Sequence, residues 1–168
     1  MADANDLLLD TYDRVAESVP AVLDGLSPDD AAWRPDAEGN SIGWLVWHLT
    51  RVLDDHLATV SDREQVHTSQ GYAGRLGLEL PPSDTGWSHS SADVAKVRFA
   101  DLSALAEYHA AVQAWAAEYL GSVDDLDRVV DERWNPPVTL SARLVSVGDD
   151  MARHIGQAEY VRGLLDRR

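Results

Sequence analysis

The chain has 168 residues, 14 Lys+Arg against 29 Asp+Glu for a formal net charge of −15, and no cysteine. One ordinary domain spanning residues 1–168 is expected, large enough to bury a core without disulfides or structural zinc, and thiolate nucleophiles, redox pairs and Cys-ligated metals are excluded. So acidic a surface, with its arginines dispersed, repels phosphate backbones and argues against nucleic acid; apolar stretches such as Ile42 to Leu49 are too short for a membrane span, and the N-terminus lacks the basic start of a signal peptide, which predicts a cytoplasmic protein.

Four segments carry apolar residues at helical spacing. Leu8, Tyr12, Val15, Val19 and Val22 form one stripe of a helix over about residues 5–25. Residues 27–39, with Trp33-Arg34-Pro35, form a linker with room for a short helical turn. Asn40 or Ser41 caps a second helix, whose stripe is Leu45, Leu49, Val52 and His56. Residues 62–90 hold Gly71, Gly74, Gly77, Pro81-Pro82 and Gly86 and far exceed a usual helix–helix connection, so this crossover either shapes a site or is a loose surface loop. A third helix follows Leu105, Tyr108, Val112, Trp115 and Tyr119 and ends at Gly121. After a linker over 122–138 comes the most regular stripe, Leu140, Leu144, Val147, Met151, Ala158, Val161 and Leu165, capped by Thr139. No comparable period-two run occurs. The pattern predicts an all-α four-helix bundle with a long crossover between helices 2 and 3.

Polar residues interrupt two stripes. His154 fills the gap between Met151 and Ala158, and Asp150 lies four residues earlier on the same face. His48, between Leu45 and Val52, also faces inward. A buried carboxylate or imidazole is costly without a partner. Two imidazoles and a carboxylate suit a divalent metal, Zn²⁺ first with Ni²⁺ or Fe²⁺ as alternatives. The plainer alternative is a core histidine hydrogen-bonded to its neighbour, with Asp150 and His154 as such a pair. No H-E-x-x-H is present, so a zincin protease is not supported. His56, His67, His89 and His109 read as solvent-facing or loop histidines, His56 being a reserve ligand.

The stretch Gly39-Asn40-Ser41-Ile42-Gly43-Trp44-Leu45-Val46-Trp47-His48-Leu49, after Trp33-Arg34-Pro35, resembles the second-helix signature of the DinB/YfiT-like superfamily. Asp149-Asp150-Met151-Ala152-Arg153-His154-Ile155-Gly156-Gln157, followed by Tyr160-Val161-Arg162-Gly163-Leu164-Leu165, is similar to that superfamily's last-helix motif. The resemblance spans essentially the whole chain. It implies a DinB-like four-helix bundle, often a homodimer, with a divalent metal held by His48, Asp150 and His154. Many members have histidine where this chain has Asp150. The branch containing mycothiol-dependent maleylpyruvate isomerase places a carboxylate there, Glu rather than the shorter Asp.

Relatives of this kind are thiol-dependent transferases or isomerases that use mycothiol or bacillithiol. The resemblance therefore implies a metal-dependent S-transferase in which the metal lowers the pKa of a low-molecular-weight thiol, here mycothiol, for attack on a small electrophile. Two neutral imidazoles and one carboxylate leave Zn²⁺ a single positive charge for the thiolate to neutralise. Helical geometry adds Gln157 and Arg153 as groups to orient or bind the cosubstrate; Trp44, flanking His48, is a candidate apolar wall, and Arg75, in the crossover with Gly71-Tyr72, a candidate further contact. The arginines have a simpler reading as a solvated helix face paired with Asp149 or Glu159, which is favoured for Arg162, and Trp44 and Trp47 suit bundle core or a dimer interface equally well. The other functional classes are a catalytically inactive structural or regulatory dimer and a metal-dependent hydrolase using bound water as nucleophile.

Overall fold

A computed structural model describes residues 3–168. Four long helices form the bundle, α1 (Ala4–Leu23), α3 (Ile42–Ser61), α7 (Ser103–Ser122) and α8 (Leu140–Leu165), with the single turns α2 (Pro28–Ala32), α4 (Val66–Ser69), α5 (Tyr72–Arg75) and α6 (Ser91–Val94) between them. α1 packs against α7 and α8, and so does α3, which leaves α1 and α3 diagonal. The all-α expectation holds with one small addition: β1 (Val129–Asp131) and β2 (Val138–Thr139) pair antiparallel, Val129 opposite Thr139 and Asp131 opposite Val138. Two-residue pairing is too short to leave an alternating pattern in the sequence.

The helix starts follow capping chemistry. Asp3 and Asp6 form a reciprocal capping box on α1, Ser41 accepts from Trp44 N–H at the start of α3, and Thr139 accepts from Ala142 N–H at the start of α8. The stripes of α1 and α8 are the buried faces, from Tyr12 to Val22 and from Leu140 to Val161. The two helices approach closely at Gly148, where a Cβ would lie 3.1 Å from the Tyr12 ring, and Tyr12 Oη donates to the Leu144 carbonyl at 2.8 Å.

α3 departs from the expected stripe. Every residue from Ile42 to Arg51 is buried, and further along Leu53 and Leu57 face the core while Val52 and His56 lie at its edge. A helix buried all round needs cover on every side. α7 and α8 cover two sides, and the crossover, which runs to residue 102, supplies more: Val66, Tyr72, Leu76, Val94, Val97 and Phe99 join the core cluster.

The crossover is anchored by polar groups of α3 at zero exposure. The Arg51 guanidinium donates to the carbonyls of Asp84 (3.0 Å) and Pro82 (3.0 Å), to Gln65 Oε1 (2.8 Å) and to Tyr108 Oη (3.2 Å). Asp54 accepts from Val66 N–H (2.8 Å), His67 N–H (2.8 Å) and Tyr108 Oη (2.7 Å). Nearly every polar atom that burial strips of water is repaid by a partner. The segment is therefore a fixed wall and not a loose loop.

Candidate metal centre

α3 and α8 pack side by side, and at their contact His48, Asp150 and His154 bring one ligand-type atom each to within 4.8 Å of one another. The imidazoles of His48 and His154 meet edge to face with centroids 4.8 Å apart, and His154 Nε2 stands 3.5 Å from Asp150 Oδ1. Asp is thus long enough here to reach its neighbour, although His154 sits at the edge of the stripe and Ile155 takes the fully buried place.

Each imidazole is held by its outer nitrogen. His48 Nδ1 bonds the carbonyl of Thr85 in the crossover, and His154 Nδ1 bonds Gln157 Oε1 at 3.1 Å. When Nδ1–H donates to an oxygen, Nε2 keeps its lone pair for an incoming cation, the arrangement that fixes tautomer and ring orientation in metal sites. Trp44 lies flat on His48, centroids 4.6 Å apart and planes 14° apart, and presents an edge to His154. Gly86 follows Thr85 at φ +86°, and a Cβ there would fall 2.8 Å from His48 Nδ1, so only glycine lets the crossover come this near.

The electrostatics favour a cation. Burial, with His154 nearby, pushes the His48 imidazolium below its ordinary pKa despite the Thr85 carbonyl and Asp150. Burial opposes charge on Asp150 too, but the hydrogen bond from His154 and the fields of His154, His48 and His56 outweigh it and hold the carboxyl below its usual range. On His154 burial is the largest single influence and lowers its pKa, yet the bonds to Asp150 and Gln157 together win and raise it. Asp150 Oδ2 is buried with no hydrogen-bond partner. Once the proton shared by His154 and Asp150 is displaced, one carboxylate and two imidazole nitrogens within 4.8 Å of one another are a donor set that fits a borderline divalent ion.

Of the groups expected around the cluster, the structure brings Trp44 and Gln157 to it. Arg153 pairs with Asp149 at 2.9 Å on the solvated face. Arg75 pairs with Glu107 and stacks over Tyr72 on the α7 side, so it is not brought to the centre. Arg162 caps the end of α1 through the carbonyls of Val22 and Asp24.

Of the histidines read as solvent-facing or loop residues, His67 and His109 are buried and His89 is half-buried. His67 and His109 are 6% and 3% exposed, His109 bonding Thr50 Oγ1 at 2.9 Å. His89 lies over Trp47, accepts from Trp44 Nε1 (3.1 Å) and meets Asp84 through Nε2 (3.0 Å). Thr85, Gly86 and His89 sit in the irregular crossover, where no period flags them; their only signal was that segment's length and glycine content.

A family model for mycothiol-S-transferase matches residues 7–167. The crystal structure of a conserved protein from Enterococcus faecalis is 32% identical and superposes with a TM-score of 0.93 over 100% of both chains. No curated protein matches the sequence. Among the described residues no helix is long and apolar enough to cross a membrane.

Proposed function

The chain belongs to the mycothiol-S-transferase family, and from that premise we propose that it is a metal-dependent thiol S-transferase, with His48, Asp150 and His154 as the metal ligands and mycothiol as the sulfur donor. The observation that carries the proposal is the buried, unpartnered Asp150 Oδ2 set against two imidazoles whose outer nitrogens are already held.

A divalent metal bound there, Zn²⁺ by preference, supplies the positive charge that lets a thiol ionise at neutral pH. The chain's own residues do the rest. Asp150 offsets one of the two charges and leaves the site one positive charge, suited to a single thiolate. Thr85 and Gln157 hold the two rings in orientation, and Trp44 closes one face of His48 to water. The sulfur then forms its bond to the electrophilic carbon as the leaving group departs with the bonding pair, and the thiol proton goes to solvent. A chain without cysteine takes its sulfur from a small molecule.

Elemental analysis beside a conjugation assay tests this. Wild type is expected to hold about one divalent ion per chain and to conjugate a chlorobimane to mycothiol, and His154→Ala to lose both. Absence of metal from wild type, or turnover indifferent to the thiol, overturns the proposal.

A further inference from the structure

Beside the cluster opens a cleft of about 470 Å³ whose lining includes His48, Asp150, Thr85, Arg143, His56 and Trp87. Arg143 lies seven residues before Asp150 on α8, two turns along the same helix face, about 10 Å by helical rise. At the mouth stand Trp87 and Trp134, 82% and 65% exposed. Single exposed apolar side chains are ordinary, but two exposed tryptophans lining one cleft form an apolar rim suited to contact a ligand.

The charge of Arg143 is not consumed by the fold. Its hydrogen bond goes from Nη2 to Asp131 Oδ2 at 3.2 Å, and Asp131 is already held at both oxygens by Arg133, at 2.9 and 2.8 Å. Two guanidiniums thus share one carboxylate, and Nε and Nη1 of Arg143 make no hydrogen bond among the described residues. The other acid at the cleft besides Asp150 is Asp55, which accepts from Gln65 Nε2 at 2.8 Å. In a chain of net charge −15, which repels anions in bulk, a guanidinium with free donors in an aromatic-rimmed cleft gives local selection for an anion.

We infer that this cleft is the electrophile's subsite and that it selects a planar aromatic electrophile bearing a carboxylate, which Arg143 receives while Trp87 and Trp134 cover the ring. The inference rests on the transferase reading for the name of the occupant, but its test does not. In the presence of Zn²⁺ and without thiol, 4-methylbenzoate is titrated against its neutral isostere 4-methylbenzamide, with tryptophan fluorescence and calorimetry as readouts. Wild type is expected to bind the carboxylate at least tenfold more tightly. Arg143→Gln brings that ratio close to one and Trp87→Ala weakens both ligands several-fold. Asp131 keeps its bidentate partner Arg133, so Arg143→Gln is expected to melt within a few degrees of wild type. Equal affinities in wild type, or a preference that survives Arg143→Gln, overturn the inference.

A kinetic arm uses 4-(bromomethyl)benzoate and 4-(bromomethyl)benzamide with mycothiol, where the C–S bond forms as bromide leaves with its electron pair. The carboxylate is expected to gain about tenfold in kcat/KM, mainly through KM. Absence of thiol-dependent turnover beside a retained binding preference defeats the transferase reading and upholds the cleft. Turnover without preference does the reverse.

Discussion

A Cβ added at Gly86 would meet His48 Nδ1 at 2.8 Å and the Trp47 ring at 3.0 Å, on a backbone whose φ of +86° already disfavours any side chain. Gly86→Ala therefore carries two penalties. The backbone strain costs about 1–2 kcal/mol, and the crossover must retreat from His48, breaking the Thr85 bond that holds the imidazole. Losing such an outer partner typically weakens metal binding 10–100-fold. Competition with a chromophoric chelator is expected to show that loss, while circular dichroism shows the helices intact. Unchanged metal affinity would mean that the Thr85 carbonyl does not set the orientation of His48.

At the scale of elements, the crossover and α3 stabilise one another through Arg51. Arg51 has no exposed surface, so Arg51→Met would strip two crossover carbonyls and Gln65 of their donor and leave Asp54 without its nearby cation. Breaking a buried charged network costs about 3–5 kcal/mol, a fall in Tm of roughly 10 °C for a chain of this size. Hydrogen exchange is expected to find the crossover amides deprotected well before those of the four long helices. The same contrast explains what could be read in advance. The long helices were legible because a stripe buried on one side leaves a 3.6-residue period, and His48, Asp150 and His154 were legible because they interrupt such stripes at same-face spacing. Arg51 was not, since a lone arginine on a helix reads as solvated until the chain that covers it is known. The cleft was not legible either: Thr85, Trp87 and Trp134 come from irregular segments that converge only in three dimensions.

Over the whole molecule, burial of histidines ties stability to pH. His109, walled in between α7 and α3, has its pKa lowered by desolvation to about 4, and His67, on the buried side of the crossover, is likewise lowered to about 4 by burial and by Arg51. In the unfolded chain both return to about 6.5. Between those values the unfolded state binds protons that the native state refuses, so unfolding is favoured as pH falls. The stability is fully present above about pH 6.5 and is lost progressively as the pH falls toward 4. For His109 alone, at 3% exposure, linkage gives a loss of about 2–3 kcal/mol by pH 4.5. Urea denaturation of metal-free protein from pH 7.5 to 4.5 isolates this effect from protonation of a loaded site. Wild type is expected to lose more stability over that range than His109→Gln, the difference matching the share of His109. The variant keeps a group able to donate to Thr50 while removing the titration. Parallel pH profiles for the two proteins would show that His109 is protonated in the folded state, against the burial that α3 and α7 impose on it.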